Sequence, residues 1–132
     1  MPHVSPRPVK EKVRKQLYAL LFESLTSKNV TKKQQRLAFQ ELLTPTEKMM
    51  LSKRLVAISL LSQGISSYKV GRVLQLSNTT TIKLQEKLER GSFKNTTVLC
   101  KILRKGPLQH YIEGLFKLPR YGTSPSQLFK EK

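Results

Sequence analysis

The sequence lacks several residue types that enzyme active sites commonly need. It has no aspartate, because all eight acidic residues are glutamates, and its two histidines, His3 and His110, lie far apart in the chain. It also has no metal-ligand spacing, no phosphate-binding glycine loop and no nucleophile motif. We therefore expect that the protein is not an enzyme and that it carries no cofactor.

Two further absences concern where the protein acts. No stretch approaches the ~20 apolar residues of a transmembrane helix, and residues 1–7 lack the apolar core of a signal peptide. The single cysteine, Cys100, cannot form an internal disulfide, and because it lies in an apolar run we expect it to be buried. These features predict a cytoplasmic protein that has no membrane partner.

Positive charge, in contrast, is abundant. The 132 residues include 25 Lys and Arg against 8 Glu, a net charge of +17 that is spread along the whole chain. Such a chain attracts polyanions, since Lys and Arg that neutralise phosphates release counterions. Aromatic residues are few and do not alternate with basic ones, which argues against single-strand binding by stacking. The composition favours a nucleic acid as the partner.

Apolar residues recur at helical spacing, and no segment alternates like a strand, so the sequence predicts an all-α protein. Pro8 is expected to begin the first helix. Thr31 with Gln34, and Thr44 with Glu47, form capping-box sequences that predict the starts of the next two helices. The third helix is apolar on more than one side, which is typical of a helix buried between two partners.

Two shorter helices are predicted next, separated by a tight turn at residues 75–77. Ser66 and Ser77 are expected to cap them. Their predicted inward residues are Val70, Val73, Leu74, Thr81, Leu84 and Leu88. Two helices joined by such a short turn are typical of a helix-turn-helix, here over residues 66–90.

Several runs together resemble one known family. They are residues 42–47 (LLTPTE), 53–55 (KRL) and 60–64 (LLSQG), followed by the helix-turn-helix pattern through Lys83. This combination resembles the Trp repressor family, and it is closer to the repressor-like branch than to the tryptophan-sensing regulators. The resemblance covers about residues 10–91.

The resemblance implies an intertwined, all-helical dimer. Residues 9–64 would build the dimer core, and residues 66–90 would read one DNA half-site in each chain. The residues expected in the dimer core are Leu17, Leu21, Leu51, Leu55 and Ile58.

The same resemblance bears on an effector. Tryptophan-sensing members hold their ligand with an arginine in the long helix, which Arg54 matches, and with an arginine and a glycine early in the recognition helix. Lys83 and Leu84 stand at those last two positions. Leu84 is expected to fill the space of the indole, and Lys83 is a poorer bidentate partner for a carboxylate. We therefore expect no tryptophan corepressor.

The expected recognition helix enters the major groove by its N-terminal end. There Asn78 suits adenine, Lys83 suits guanine, and the outward Ile82 suits a thymine methyl group. The full set of expected DNA-binding residues is Ser66, Ser67, Tyr68, Lys69, Ser77, Asn78, Thr79, Thr80, Ile82, Lys83, Lys87 and Arg90. For Ser66 and for residues 78–81, a helix cap without DNA contact is the open alternative.

The predicted organisation has four parts. A flexible basic arm (1–8) precedes the Trp repressor-like DNA-binding domain (9–91). A helical extension (92–118), with a helix capped by Asn95 and running to Lys105, and a basic tail (119–132) follow.

These features predict a sequence-specific transcriptional regulator, a repressor that binds duplex DNA as a homodimer. Two alternatives stay open at this point. One is a nonspecific or architectural nucleic-acid-binding protein, which the even spread of charge favours. The other is a recombination accessory factor, since helix-turn-helix modules serve there too.

Overall fold

The structure, a computed structural model, describes residues 8–104 together with residues 110, 113 and 114. Within them it contains six helices and no strand, which confirms the all-α prediction. The helices are α1 (Glu11–Thr26), α2 (Lys32–Leu42), α3 (Pro45–Ser62), α4 (Ser67–Leu74), α5 (Asn78–Glu89) and α6 (Lys94–Leu103). Residues 1–7 of the predicted arm, Lys105 and the predicted tail lie outside the described residues.

Two of the predicted helix starts are confirmed in atomic detail. Thr31 Oγ1 accepts the Gln34 amide at 3.1 Å, while the Gln34 side-chain oxygen accepts the Thr31 amide at 3.1 Å. Thr44 and Glu47 make the same reciprocal pair at 3.1 and 2.9 Å. These bonds satisfy amides that the first turn of a helix leaves without an intrahelical partner.

The predicted start of the first helix is wrong. α1 begins at Glu11 and not at Pro8. An acidic residue in the first turn is stabilised by the positive end of the helix dipole, and Glu11 also pairs with Lys15 one turn later at 3.7 Å.

The predicted cap at Asn95 is also wrong. α6 begins at Lys94, with Phe93 as its N-cap. The Phe93 carbonyl accepts both the amide and the hydroxyl of Thr97, each at 2.8 Å, and these bonds start the helix before Asn95 is reached.

The chain divides into two compact units, Met1–Leu51 and Ser52–Lys132. In the first unit α1 and α2 contact each other, and Gln35 Nε2 donates to the Ser27 carbonyl at 3.1 Å. No residue of either helix is buried. The large apolar side chains that stay exposed between residues 9 and 51 are Val9, Val13, Leu17, Tyr18, Leu20, Leu21, Phe22, Leu37, Phe39, Leu42, Met49 and Leu51.

The second unit has a continuous hydrophobic core. Five consecutive residues of α3, 57–61, are buried, as a helix apolar on more than one side predicts. The buried members of the core are Ala57, Leu60, Leu61, Ile65, Val70, Val73, Leu74, Leu84 and Cys100. Burial raises the pKa of the Cys100 thiol, although a hydrogen bond with Ser59 opposes the shift. The expectation of a buried cysteine is confirmed.

The packing of α4 on α5 depends on a close approach at Gly71. A methyl group added there would lie 2.9 Å from the backbone oxygen of Leu76 and 3.5 Å from the methyl carbon of Thr81. Thr81 is fully buried, and its hydroxyl donates to the Asn78 carbonyl at 3.1 Å. A small residue at position 71 and a short, hydrogen-bonded residue at position 81 therefore let the two helices meet closely.

Replacing Gly71 with Ala tests this close approach. Since the contacted Leu76 oxygen belongs to the backbone, Gly71→Ala should lower the free energy of unfolding by roughly 1–3 kcal/mol, despite the better helix propensity of alanine. Gly114→Ala is the matched control, because a methyl group there meets no atom within 4 Å. Equal stability of the two variants in denaturant titrations would contradict the packing described here.

The capping box of α3 predicts a pH dependence. Hydrogen bonds from the amide and the hydroxyl of Thr44 lower the pKa of the Glu47 carboxyl. A carboxyl with a lowered folded-state pKa adds stability above its unfolded-state pKa, and this contribution is lost as pH falls through the folded-state pKa.

Glu47→Gln should therefore unfold more easily than the parent at neutral pH, and the difference should shrink in acid. Urea titrations across the acidic range measure it. Glu41→Gln, at an exposed glutamate outside both capping boxes, controls for the loss of one negative charge. A difference that stays constant with pH would show that the carboxylate does not cap α3.

Candidate nucleic-acid interface

Three residues, 75–77, connect α4 to α5. Gln75 has a left-handed backbone with φ of 55°, and its amide donates to the Gly71 carbonyl. The Leu76 amide donates to the same carbonyl at 2.9 Å. A left-handed residue is a common way to end a helix and is usually glycine, so Gln75 adopts the usual conformation with a different residue type.

Lys53 of α3 adds a contact to this connection. Its Nζ donates to the Gln75 carbonyl at 3.4 Å. Sequence reasoning did not single out Lys53, because the contact joins residues 22 positions apart and leaves no local pattern.

The serine caps lie where the sequence predicts them. Ser66 Oγ accepts the Lys69 amide at 3.2 Å, and Ser77 Oγ accepts the Thr80 amide at 3.1 Å. The Ser77 and Thr80 hydroxyls also bond each other at 2.8 Å. A hydroxyl that accepts an amide still has a proton to donate, so the Ser66 cap leaves that side chain able to bind a phosphate oxygen.

One side of α5 is buried and the other side faces outward. Thr81 and Leu84 are buried, and Leu88 is half-buried, as predicted. The residues predicted to face outward are all exposed: Asn78, Thr79, Thr80, Ile82, Lys83, Lys87 and Arg90. Near the start of α5 the outward side is thus made of short polar side chains, one isoleucine and one lysine.

The first turn of α4 presents a different chemistry. Tyr68 is exposed, while Ser67 and Lys69 are half-buried. The Arg72 guanidinium lies over the Tyr68 ring, 6.0 Å from its centroid, in a cation–π arrangement. The planar guanidinium presents several N–H donors that suit phosphate oxygens.

Sequence reasoning missed two residues near the candidate nucleic-acid interface, although the sequence carries a signal for each of them. Arg72 follows Tyr68 at the i, i+4 spacing that places two side chains on one helix face. Gly71 lies inside a helix between the buried Val70 and Val73, a place where a glycine commonly marks a packing constraint.

The residues expected in the dimer core fall into two groups. Leu17, Leu21 and Leu51 belong to the first unit, and all three are exposed. Leu55 and Ile58 belong to the second unit, where Leu55 is half-buried and Ile58 is buried within this chain.

The described residues contain neither a candidate metal site nor a candidate membrane-spanning helix. No group of three or more His, Cys, Asp or Glu side chains there is placed to hold a metal ion. None of the helices described combines the length and the apolar character needed to cross a lipid bilayer.

Comparison with protein-family models, with curated proteins and with solved structures gave no match. The resemblance to the Trp repressor family therefore stays a prediction.

Proposed function

We propose that this protein is a sequence-specific duplex-DNA-binding regulator that reads the major groove with α5. The observation that carries the proposal is the division of α5 into two sides. Thr81 and Leu84 pack inward, while Asn78, Ile82 and Lys83 stay exposed. A helix that packs on a preceding short helix and presents base-reading side chains at its N-terminal end is how a helix-turn-helix acts.

The charge of the second unit supports an anionic partner. Residues 52–104 contain ten Lys and Arg and only two glutamates, Glu86 and Glu89. Lys87 on the last turn of α5 and its C-cap Arg90 are exposed and suited to phosphates. The paired Tyr68 and Arg72 on α4 suit the backbone that the first helix of such a motif crosses.

The first unit supports a homodimer. Twelve large apolar side chains between residues 9 and 51 are exposed, and those of α1 lie on more than one side of that helix. Monomeric soluble proteins rarely leave large contiguous apolar patches in water, and a helix that is apolar around most of its circumference is normally buried. A second copy of the chain supplies a matching surface, and two-fold symmetry then sets two copies of α5 against two half-sites.

A tryptophan corepressor does not fit this arrangement. Leu84 is only 8% exposed and belongs to the core that includes Val70 and Leu74. The resemblance to the Trp repressor family would place the indole at this position, so a buried Leu84 supports the expectation of no tryptophan corepressor. A repressor that acts without tryptophan is the form of regulator that we propose.

A nonspecific nucleic-acid binder is the second candidate, because the positive charge is spread along the whole chain. Phosphate attraction alone produces affinity that falls steeply with salt and does not depend on sequence. The two candidates therefore differ in base preference, and a binding selection distinguishes them.

The selection starts from a duplex pool with about 20 random base pairs, enough for two half-sites one helical turn apart. The full chain should enrich a palindromic sequence and prefer it over random DNA by ~10³ or more. Asn78→Ala and Lys83→Ala should each weaken binding to the preferred duplex more than binding to random DNA, because each removes a proposed contact to a base edge.

Lys101→Ala is the matched control. Lys101 is an exposed lysine of α6, so its loss should lower affinity for preferred and random duplexes alike. Tight binding without an enriched sequence would contradict the proposed reading of bases and favour the nonspecific candidate.

The dimer is tested without DNA. Light scattering on the full chain should give about twice the chain mass of 15.2 kDa. Leu21→Glu should shift the protein toward the monomer, because it places a charge on the apolar surface of α1. Lys12→Glu introduces the same residue at an exposed polar position of that helix and should keep the mass of the dimer. A parent protein that is monomeric at micromolar concentration would contradict the homodimer.

A further inference from the structure

One exposed side chain on α5 differs in chemistry from those around it. Ile82 is 44% exposed on the outward side of α5. Asn78 lies one turn before it, Glu86 lies one turn after it and Lys83 lies next to it, and all three are exposed. A single apolar residue at a protein surface does not in general indicate a binding partner. Ile82, however, lies on the helix that is proposed to enter the major groove, where it would meet DNA.

The major groove offers one apolar feature. Among the four bases only thymine presents a methyl group there, at C5, beside the donors and acceptors of the base edges. A β-branched side chain suits this target, because few χ1 rotamers are open to it and little side-chain entropy is lost on contact. Asparagine and lysine on the same side of the helix contact base edges through hydrogen bonds, so an isoleucine between them completes the set with an apolar contact.

The charge of Glu86 indicates which part of the DNA this side of α5 meets. No ion pair joins Glu86 to Lys83 or Arg90 among the described residues. A carboxylate without a close ion pair is repelled by phosphates, whereas it accepts a hydrogen bond from the amino group of cytosine in the major groove. Glu86 therefore favours base edges over the backbone opposite this stretch of α5, which contains Ile82.

A protein partner fits Ile82 less well. The centre of a protein–protein interface is depleted in charged residues, yet Lys83 and Glu86 lie beside Ile82 on the same side of the helix. The many apolar residues that a second copy would cover lie between residues 9 and 51 instead.

We propose that Ile82 reads the C5 methyl group of a thymine and so requires an A·T pair at one position of each half-site. The proposal rests on the proposed function, since it needs α5 to enter the major groove. It adds a specificity-determining contact that can fail while sequence-specific binding holds.

The test removes only the methyl group. In the duplex enriched from the random pool, each thymine is replaced in turn by deoxyuridine, which keeps every base-pairing group. At one thymine position of the half-site, replacement in a single half-site should weaken binding by the full chain about fourfold. Replacement in both half-sites should weaken it about fifteenfold, as expected for the loss of one buried methyl contact in each. Ile82→Ala should bind the thymine and the uracil duplexes equally.

Val98→Ala is the matched control, because Val98 is an exposed β-branched residue on α6; it should keep the full preference for thymine. Circular dichroism should be unchanged for both variants, since neither side chain is buried. A selected duplex that tolerates deoxyuridine at every position would overturn the methyl contact and leave the proposed function intact. Failure to enrich any sequence would overturn both. A fall in molecular mass for Ile82→Ala would place Ile82 in a protein interface and overturn the methyl contact as well.

Discussion

The close contact between α4 and α5 is the constraint on which the candidate interface depends. Gly71 lets the helices approach, and Thr81 fills the contact with a short side chain whose hydroxyl is bonded within its own helix. Neighbouring residues of an α-helix point about 100° apart. Holding Thr81 inward therefore fixes the rotation of α5 about its axis, and Ile82 and Lys83 face outward as a result.

The two units of the chain differ in how far they bury their apolar residues. The second unit buries many of its apolar residues in a core that α3, α4, α5 and α6 share. The first unit has no buried residue in α1 or α2, although both helices carry leucines and aromatic residues. Because the burial of apolar area is the main favourable contribution to folding, covering these residues would stabilise the first unit. In the proposed homodimer a second copy of the chain would cover them without any further component.

Features that have a side-chain signature within a few residues could be predicted from the sequence, and features that depend on backbone atoms or on the packing of the folded chain could not. The capping boxes at Thr31 and Thr44 are complete within four residues each, and the inward positions of α5 follow from helical spacing. The start of α6 depends instead on a backbone carbonyl, that of Phe93, which has no side-chain signature. The constraint at Gly71 arises from the approach of Leu76 and Thr81, which only the folded chain brings together.

Short side chains at the start of α5 and long basic side chains elsewhere in the chain differ in what they can contact. Most of the net charge of +17 lies elsewhere in the chain, and among the exposed residues 78–83 Lys83 alone is charged. A surface that only attracts phosphates gains from long basic side chains at its closest approach. Asn78, Thr79 and Ile82 are short, so under the proposed function they would contact bases only where the helix itself enters the groove. Short side chains at the start of α5, with lysine and arginine on its later turns, suit a protein in which phosphates set the position and bases set the specificity.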